Sequence, residues 1–240
     1  MKKLARVTGL LQAGARALGQ PVAVCTRALY RDIDVAPSWD WWVKVSPEAR
    51  EELLFWQENL VALNGRDIRI NQVPVQINCQ VAGDASGAGL YLGDSVSRTT
   101  LLSLPFSVEE QLKSSTWREL RILELFYTSS SADCYAGRTI LHLTDNVNVR
   151  QIVKKGSKQM ELAEMSRKIF LSCRLKKITL IVNWESREAE VMKEVDAGSR
   201  GPWLLQDEFQ LDFDSYAQIL TRLCLLKSWF KNRFYILHAD

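Results

Sequence analysis

Histidine is nearly absent: His142 and His238 are the only two in 240 residues, which argues against chemistry built on several imidazoles. Paired cysteines are missing as well. Cys25, Cys79, Cys134, Cys173 and Cys224 stand singly, odd in number and without a CxxC pair, so neither a disulfide framework nor a zinc knuckle is indicated. No apolar run approaches the roughly 18 residues of a membrane span, and the opening MKKLARVTGLLQAG is too interrupted for a secretory signal. An intracellular protein with no membrane partner is expected, with nothing to separate cytoplasm from nucleus. The chain also lacks internal repeats and low-complexity stretches. Its net charge of +3 is too small to establish a nucleic-acid partner, because phosphate binding depends on where Lys and Arg cluster. What is present is ordinary: 47% hydrophobic and 25% charged residues, a globular composition able to bury a core. Any catalysis should rest on carboxylates.

Residues 1–72 read as a helical segment. Apolar spacing recurs in LARVTGLLQAGARAL and in SPEAREELLFWQENL, where Ser46 suits an N-cap and Pro47 the first helical position. Between them YRDIDVAPSWDWWVKV suggests a loop whose Trp39, Trp41 and Trp42 pack onto a neighbouring surface, core packing being favoured over base stacking. From about residue 73 the period changes. VPVQINCQVAGD, GAGLYLGD and RTTLLSLPFS read as a three-stranded antiparallel meander, followed by a helix in STWRELRILELFYTSSS and a buried strand in GRTILHLTD. Helices in NVNVRQIVKK and KQMELAEMSRKIFLSCRL, a strand ITLIVNW and a helix around EAEVMKEVDAGSR complete an α/β pattern with a mixed sheet. Residues 202–240 form a tail with no assigned structure.

Acids end two of these strands. Asp84 precedes ASGAG, whose glycines permit a tight turn, and Asp145 closes the central apolar strand. Either alone reads most simply as a turn or helix cap. Glu119 shares a helix face with Ile122, Leu123 and Phe126, and a carboxylate on a buried stripe requires a cation, hydrogen-bond donors or a metal. Glu124 lies at the margin of that arc and reads as more easily solvated. Asp196 reads by itself as a surface acid. If the sheet sets Asp84 and Asp145 on adjacent strands, with Glu119 and Asp196 on flanking helices, four carboxylates meet at one edge and repel one another unless cations join them.

GDASGAG, STWREL, ILHLTDNVNV with VKKGS, ITLIVNWESRE and EVDAGSR, in that order over residues 75–201, resemble the ribonuclease H domain of retrotransposon polyproteins, in particular the tyrosine-recombinase (DIRS-like) group. The two N-terminal helical stretches resemble the thumb and connection segment before that domain. The resemblance implies a ribonuclease H-like five-stranded mixed sheet flanked by helices over residues 73–201. It further implies catalytic, metal-binding roles for Asp84, Glu119, Asp145 and Asp196, two Mg²⁺ ions with Mn²⁺ as the alternative, and cleavage of the RNA strand of an RNA/DNA hybrid. The polymerase part of a reverse transcriptase is a further implied partner. Two-metal phosphodiester hydrolysis needs oxygen ligands and no histidine, which suits this composition.

Arg150, Lys154, Lys155 and Lys158 around Gly156 are candidates for backbone phosphate contacts; charge at a helix C-terminus explains them equally well. Core packing is the simpler role for Trp117 and Trp184, and turn bonding serves Ser86 and Asn146 as well as orienting water does. Met192 and Val195 stand where the family usually has Asn and Ala, so Glu188, Glu190 and Glu194 remain alternatives for the fourth acid. Residues 1–70 supply no paired-aspartate polymerase motif, and the tail departs from the resemblance at CLLKSWFKNRFYILHAD, as a truncated or frame-shifted copy would. An inactive remnant or domesticated nucleic-acid-binding module is therefore the second reading. A strand-transfer enzyme, with three acids ending in Glu, is the third.

Overall fold

The computed structural model describes residues 1–64 and 76–201; expectations for 65–75 and for the 202–240 tail lie outside them. The start of the stretch read as helical is divided by glycines into α1 (Lys2–Ala13), α2 (Ala15–Leu18) and α3 (Gln20–Val24). Gly19 makes the second break with φ of +73°, a conformation that favours glycine, and Pro21 then sits in the first turn of α3. Helix α4 (Arg27–Asp34) runs into what the sequence suggests is loop, while α5 (Pro47–Leu63) starts as expected, with the Ser46 hydroxyl accepting from Ala49 N. Buried Glu52 on α5 accepts from Ala28 N and Leu29 N at 3.1 and 3.0 Å, which satisfies orphan donors of the α4 N-terminus.

Trp39, Trp41 and Trp42 do not enter a core. They are 60, 58 and 93% exposed and line an open groove with Leu4, Val7 and Leu53. Their loop is pinned at its base by Ser46 N donating to Asp32 and at its tip by the terminal amine donating to Trp41 O, so the rings turn outward.

Strands β1 (Cys79–Ala85), β2 (Gly89–Asp94) and β3 (Thr100–Pro105) form the antiparallel meander, with β4 (Thr139–Thr144) and β5 (Thr179–Trp184) added parallel to β1. The sheet order is β3-β2-β1-β4-β5, the five-stranded mixed sheet that the resemblance implies. Helices α6 (Val108–Gln111), α7 (Ser115–Thr128), α8 (Val147–Lys155), α9 (Met160–Leu175) and α10 (Glu190–Ser199), with a 3-10 helix at Ser130–Tyr135, complete the described elements.

The strands alternate between two apolar layers. Val81 and Ile140 join Leu120, Leu123, Ile152 and Ile169 of α7, α8 and α9, whereas Ala82 and Leu143 meet Met192 and Val195 of α10. The helical segment forms its own cluster around Leu29, Trp56 and Phe55, and Phe170 and Leu171 of α9 pack against it. Gly156, at φ +70°, marks this junction: a Cβ there would lie 2.7 Å from Ala23 O. Among the described residues, no helix is long and apolar enough to cross a membrane.

Candidate metal centre

Register brings the first two acids level. Ala82 stands opposite Leu143 on the adjacent parallel strand, so Asp84 and Asp145, two residues further along each chain, arrive together at the carboxyl edge. Ligands of open α/β sheets bind at such an edge. Helix α7, started by the Ser114 hydroxyl accepting from Trp117 N, carries Glu119 in from the layer on one side. One oxygen from each of Asp84, Glu119 and Asp145 lies within 4.8 Å of the others.

Each carboxylate is held. Glu119, only 3% exposed, accepts from Thr144 Oγ1 and Asn146 Nδ2, both at 2.9 Å. Asp84 accepts from Ser199 Oγ at 3.0 Å. Asp145 is ion-paired with Arg187 through one oxygen, and its other oxygen, Oδ1, is buried without a hydrogen-bond partner among the described residues. Burial raises the Glu119 carboxyl to about 7; the bonds from Asn146 and Thr144 oppose this, and the charges of Asp145 and Asp84 add to it. Burial also raises Asp84, against the Ser199 hydroxyl and with repulsion from Asp145 and Asp196.

Asp196 stands apart from the three. It lines the same cavity of about 360 Å³, but it is half-exposed and paired with Arg200 at 2.8 Å, one turn on. The alternatives Glu188 and Glu194 are engaged elsewhere, with Lys193 and Arg98, and Glu190 with Arg98. None of the basic candidates lines that cavity. Lys154 and Lys155 end α8, whose nine residues run about 13 Å from the Asp145 end. Arg150 and Lys158 are exposed, and Lys158 borders a different cavity beside Arg27 and Tyr30.

Two neighbours, Glu124 and Trp184, differ from expectation. Glu124 is buried, because Arg121 at 2.7 Å and Lys168 of α9 at 3.4 Å neutralise it. Trp184 is an exposed residue whose indole N–H donates to Asp145 O at 3.0 Å, whereas Trp117 is buried. Ser86 bonds within its own turn and to Ser199 O. Asn146 both caps α8 and steers Glu119. Sequence reasoning missed Thr144 and Arg187; the only signals were a hydroxyl residue beside the strand-ending acid and a lone cation just past β5.

The donor set is all carboxylate oxygen, at a site with one orphaned buried oxygen, and this fits a hard divalent cation such as Mg²⁺ or Mn²⁺. No family model and no curated protein matches the chain. Solved structures do. The N-terminal RNase H domain of Rv2228c from Mycobacterium tuberculosis, determined as a fusion with maltose-binding protein, is 13% identical at a TM-score of 0.35, over 50% of this chain and 98% of that one. Prototype foamy virus protease-reverse transcriptase is 18% identical at 0.35, over 80% of this chain and 25% of that one. The foamy viral enzyme in complex with dsDNA is 15% identical at 0.34, with 79% and 39% covered. This chain thus spans well under half of the viral proteins. At such scores the likenesses carry no weight for function, and the fold rests on the sheet order itself.

Proposed function

We propose that the chain is a metal-dependent nuclease that hydrolyses the RNA strand of RNA/DNA hybrids, as part of a retrotransposon-derived polyprotein of the DIRS-like kind. The observation that carries this reading is the convergence of Asp84, Glu119 and Asp145 within 4.8 Å at the carboxyl edge of a five-stranded mixed sheet. Asp84, Glu119 and Asp145 would hold a divalent cation there, and its chemistry when bound would be to activate a water and to stabilise a leaving oxygen. The chain's own residues do the rest. Thr144 and Asn146 fix both oxygens of Glu119, Ser199 fixes Asp84, and Asp145 offers its unpaired Oδ1. Asp196, which lines the same cavity and is paired with Arg200, would be the fourth acid in this proposal. Arg150, Lys154, Lys155 and Lys158 hold the hybrid backbone further along, and residues 1–72 act as the thumb and connection segment of a polymerase part.

One observation favours a second reading, an inactive remnant or nucleic-acid-binding module: Asp145 and Asp196 are each already paired with an arginine. Cleavage of a labelled hybrid in Mg²⁺ and in chelator separates the two. Asp145→Asn, nearly equal in volume but without the anionic ligand, is expected to lower cleavage by at least about 100-fold while hybrid affinity stays within about twofold. Equal cleavage by both proteins, or none by a folded wild type, would sink the nuclease reading.

A further inference from the structure

The ion pair at Asp145 is lopsided. The aspartate side chain is 6% exposed while that of Arg187 is 81% exposed, so a buried anion is met by an arm reaching in from solvent. Arg187 leaves the short segment between β5 and α10, and that segment is fixed by bonds of its own. Glu185 N donates to Thr144 O at 2.9 Å, Glu188 N donates to Ser186 Oγ at 3.2 Å, and Trp184 Nε1 donates to Asp145 O at 3.0 Å. The base of the arm is therefore anchored beside the cavity that Arg187 lines, while its long side chain stays largely in solvent. Its guanidinium lies in the field of Asp84 and Glu119 as well as Asp145. A divalent cation entering the three carboxylates draws on the same Asp145 carboxylate, whose Oδ2 the guanidinium holds and whose Oδ1 is unpartnered, and a guanidinium in contact with Asp145 would be a like charge beside it.

Resting on the metal-site reading above, we infer that Arg187 is a tethered place-holder for the cation: it neutralises Asp145 in the empty centre, and metal entry and guanidinium release are one exchange. The arm keeps a buried anion cluster from repelling itself before the ion arrives. It also sets a threshold, because the ion binds only as tightly as its gain over the arginine allows. Once released, the guanidinium stands at the mouth of the cavity with five donors and no partner, suited to a phosphodiester oxygen. Lys193 provides the contrast. It lines the same cavity with the same charge, but its partner is Glu188, outside the carboxylate cluster.

The test is calorimetric titration of Mn²⁺ into the whole chain without nucleic acid, for wild type, Arg187→Gln, Arg187→Lys and Lys193→Gln. Arg187→Gln is expected to bind Mn²⁺ about 3- to 10-fold more tightly, Lys193→Gln within about twofold of wild type, and Arg187→Lys between the two. The exposed position of both side chains leaves folding intact, which thermal melting verifies. An Arg187→Gln affinity equal to or below wild type overturns the inference, and so does an equal gain in Lys193→Gln, which would reduce the effect to general charge. If no variant and no wild type binds Mn²⁺, the metal-site reading itself fails, an outcome distinct from the first two.

Discussion

Glu119 and His142 set opposite pH demands on the same core. Burial lifts the Glu119 carboxyl from 4.5 to about 7, so the folded chain holds its proton more tightly than the unfolded chain does. The stability this gives is full below pH 4.5 and is lost as pH rises through about 7. His142, fully buried with Nε2 unpartnered, is lowered from 6.5 to about 3 and stays neutral when folded; its contribution is present above pH 6.5 and lost as pH falls toward 3. Between pH 6.5 and about 8, then, His142 is silent and Glu119 acts. Thermal melts in chelator should fall over that window for wild type and fall less for Glu119→Gln; parallel curves would remove Glu119 from the account. Mg²⁺ affinity should climb over the same window, because the ligand must lose its proton. The three converging acids were legible in the sequence, since a carboxylate interrupting an apolar stripe or closing an apolar strand demands a partner. Arg187 was not, because an arginine in a run such as ESRE looks like any solvated charge and nothing local says which acid it reaches. Glu124 misled in the other direction: its neutralising Lys168 comes from a different helix, beyond the reach of periodicity.

Two glycines in helices make contrasting predictions at the scale of elements. Gly198 lies in α10 where the helix crosses β2, and a Cβ would sit 2.6 Å from Tyr91 Cδ2. Alanine there must push α10 off the sheet and stretch the Ser199–Asp84 bond, an overpacking cost of about 1–3 kcal/mol that exceeds the helix-propensity gain of about 1 kcal/mol. Gly9 in α1 has nothing within 4 Å of its would-be Cβ, so only the propensity gain remains. Gly198→Ala should lower the melting temperature and cleavage together, while Gly9→Ala should raise stability by about 0.5–1 kcal/mol with cleavage unchanged. Chemical denaturation with both variants checks the sign of each. The strands were readable because short apolar runs, alternating in the meander and nearly continuous in β4, end at turn residues, and α5 and α7 because their serine caps open the apolar repeat. The division of the N-terminal run was hidden: Gly14 and Gly19 look alike in sequence, and the +73° φ of Gly19 emerges only when α3 packs against α8 and α9. The three exposed tryptophans of the loop after α4 were misread because aromatic content signals burial on average and cannot show where a loop is pinned.

Across the described chain, the helical segment and the sheet share surface rather than standing apart. Gln20 Nε2 donates to Val153 O at 2.7 Å, Arg27 donates to Lys155 O, and Arg174 donates to Asn59 at 2.9 Å. Phe170 and Leu171 of α9 face the helical cluster. A fragment of residues 76–201 should therefore melt below the whole chain and bind a hydrophobic dye, since removal of α1–α5 uncovers that apolar face of α9. A fragment as stable as the whole would show the two parts to be energetically independent. The central claim is that this fold gathers its acids to hold divalent cations, and Mn²⁺ anomalous diffraction from crystals of the whole chain tests it most directly. The account predicts an anomalous peak about 2.1 Å from carboxylate oxygens of Asp84, Glu119 and Asp145, with the Arg187 guanidinium turned away. Crystals saturated with Mn²⁺ that show no peak there, and Arg187 still seated on Asp145, would contradict it.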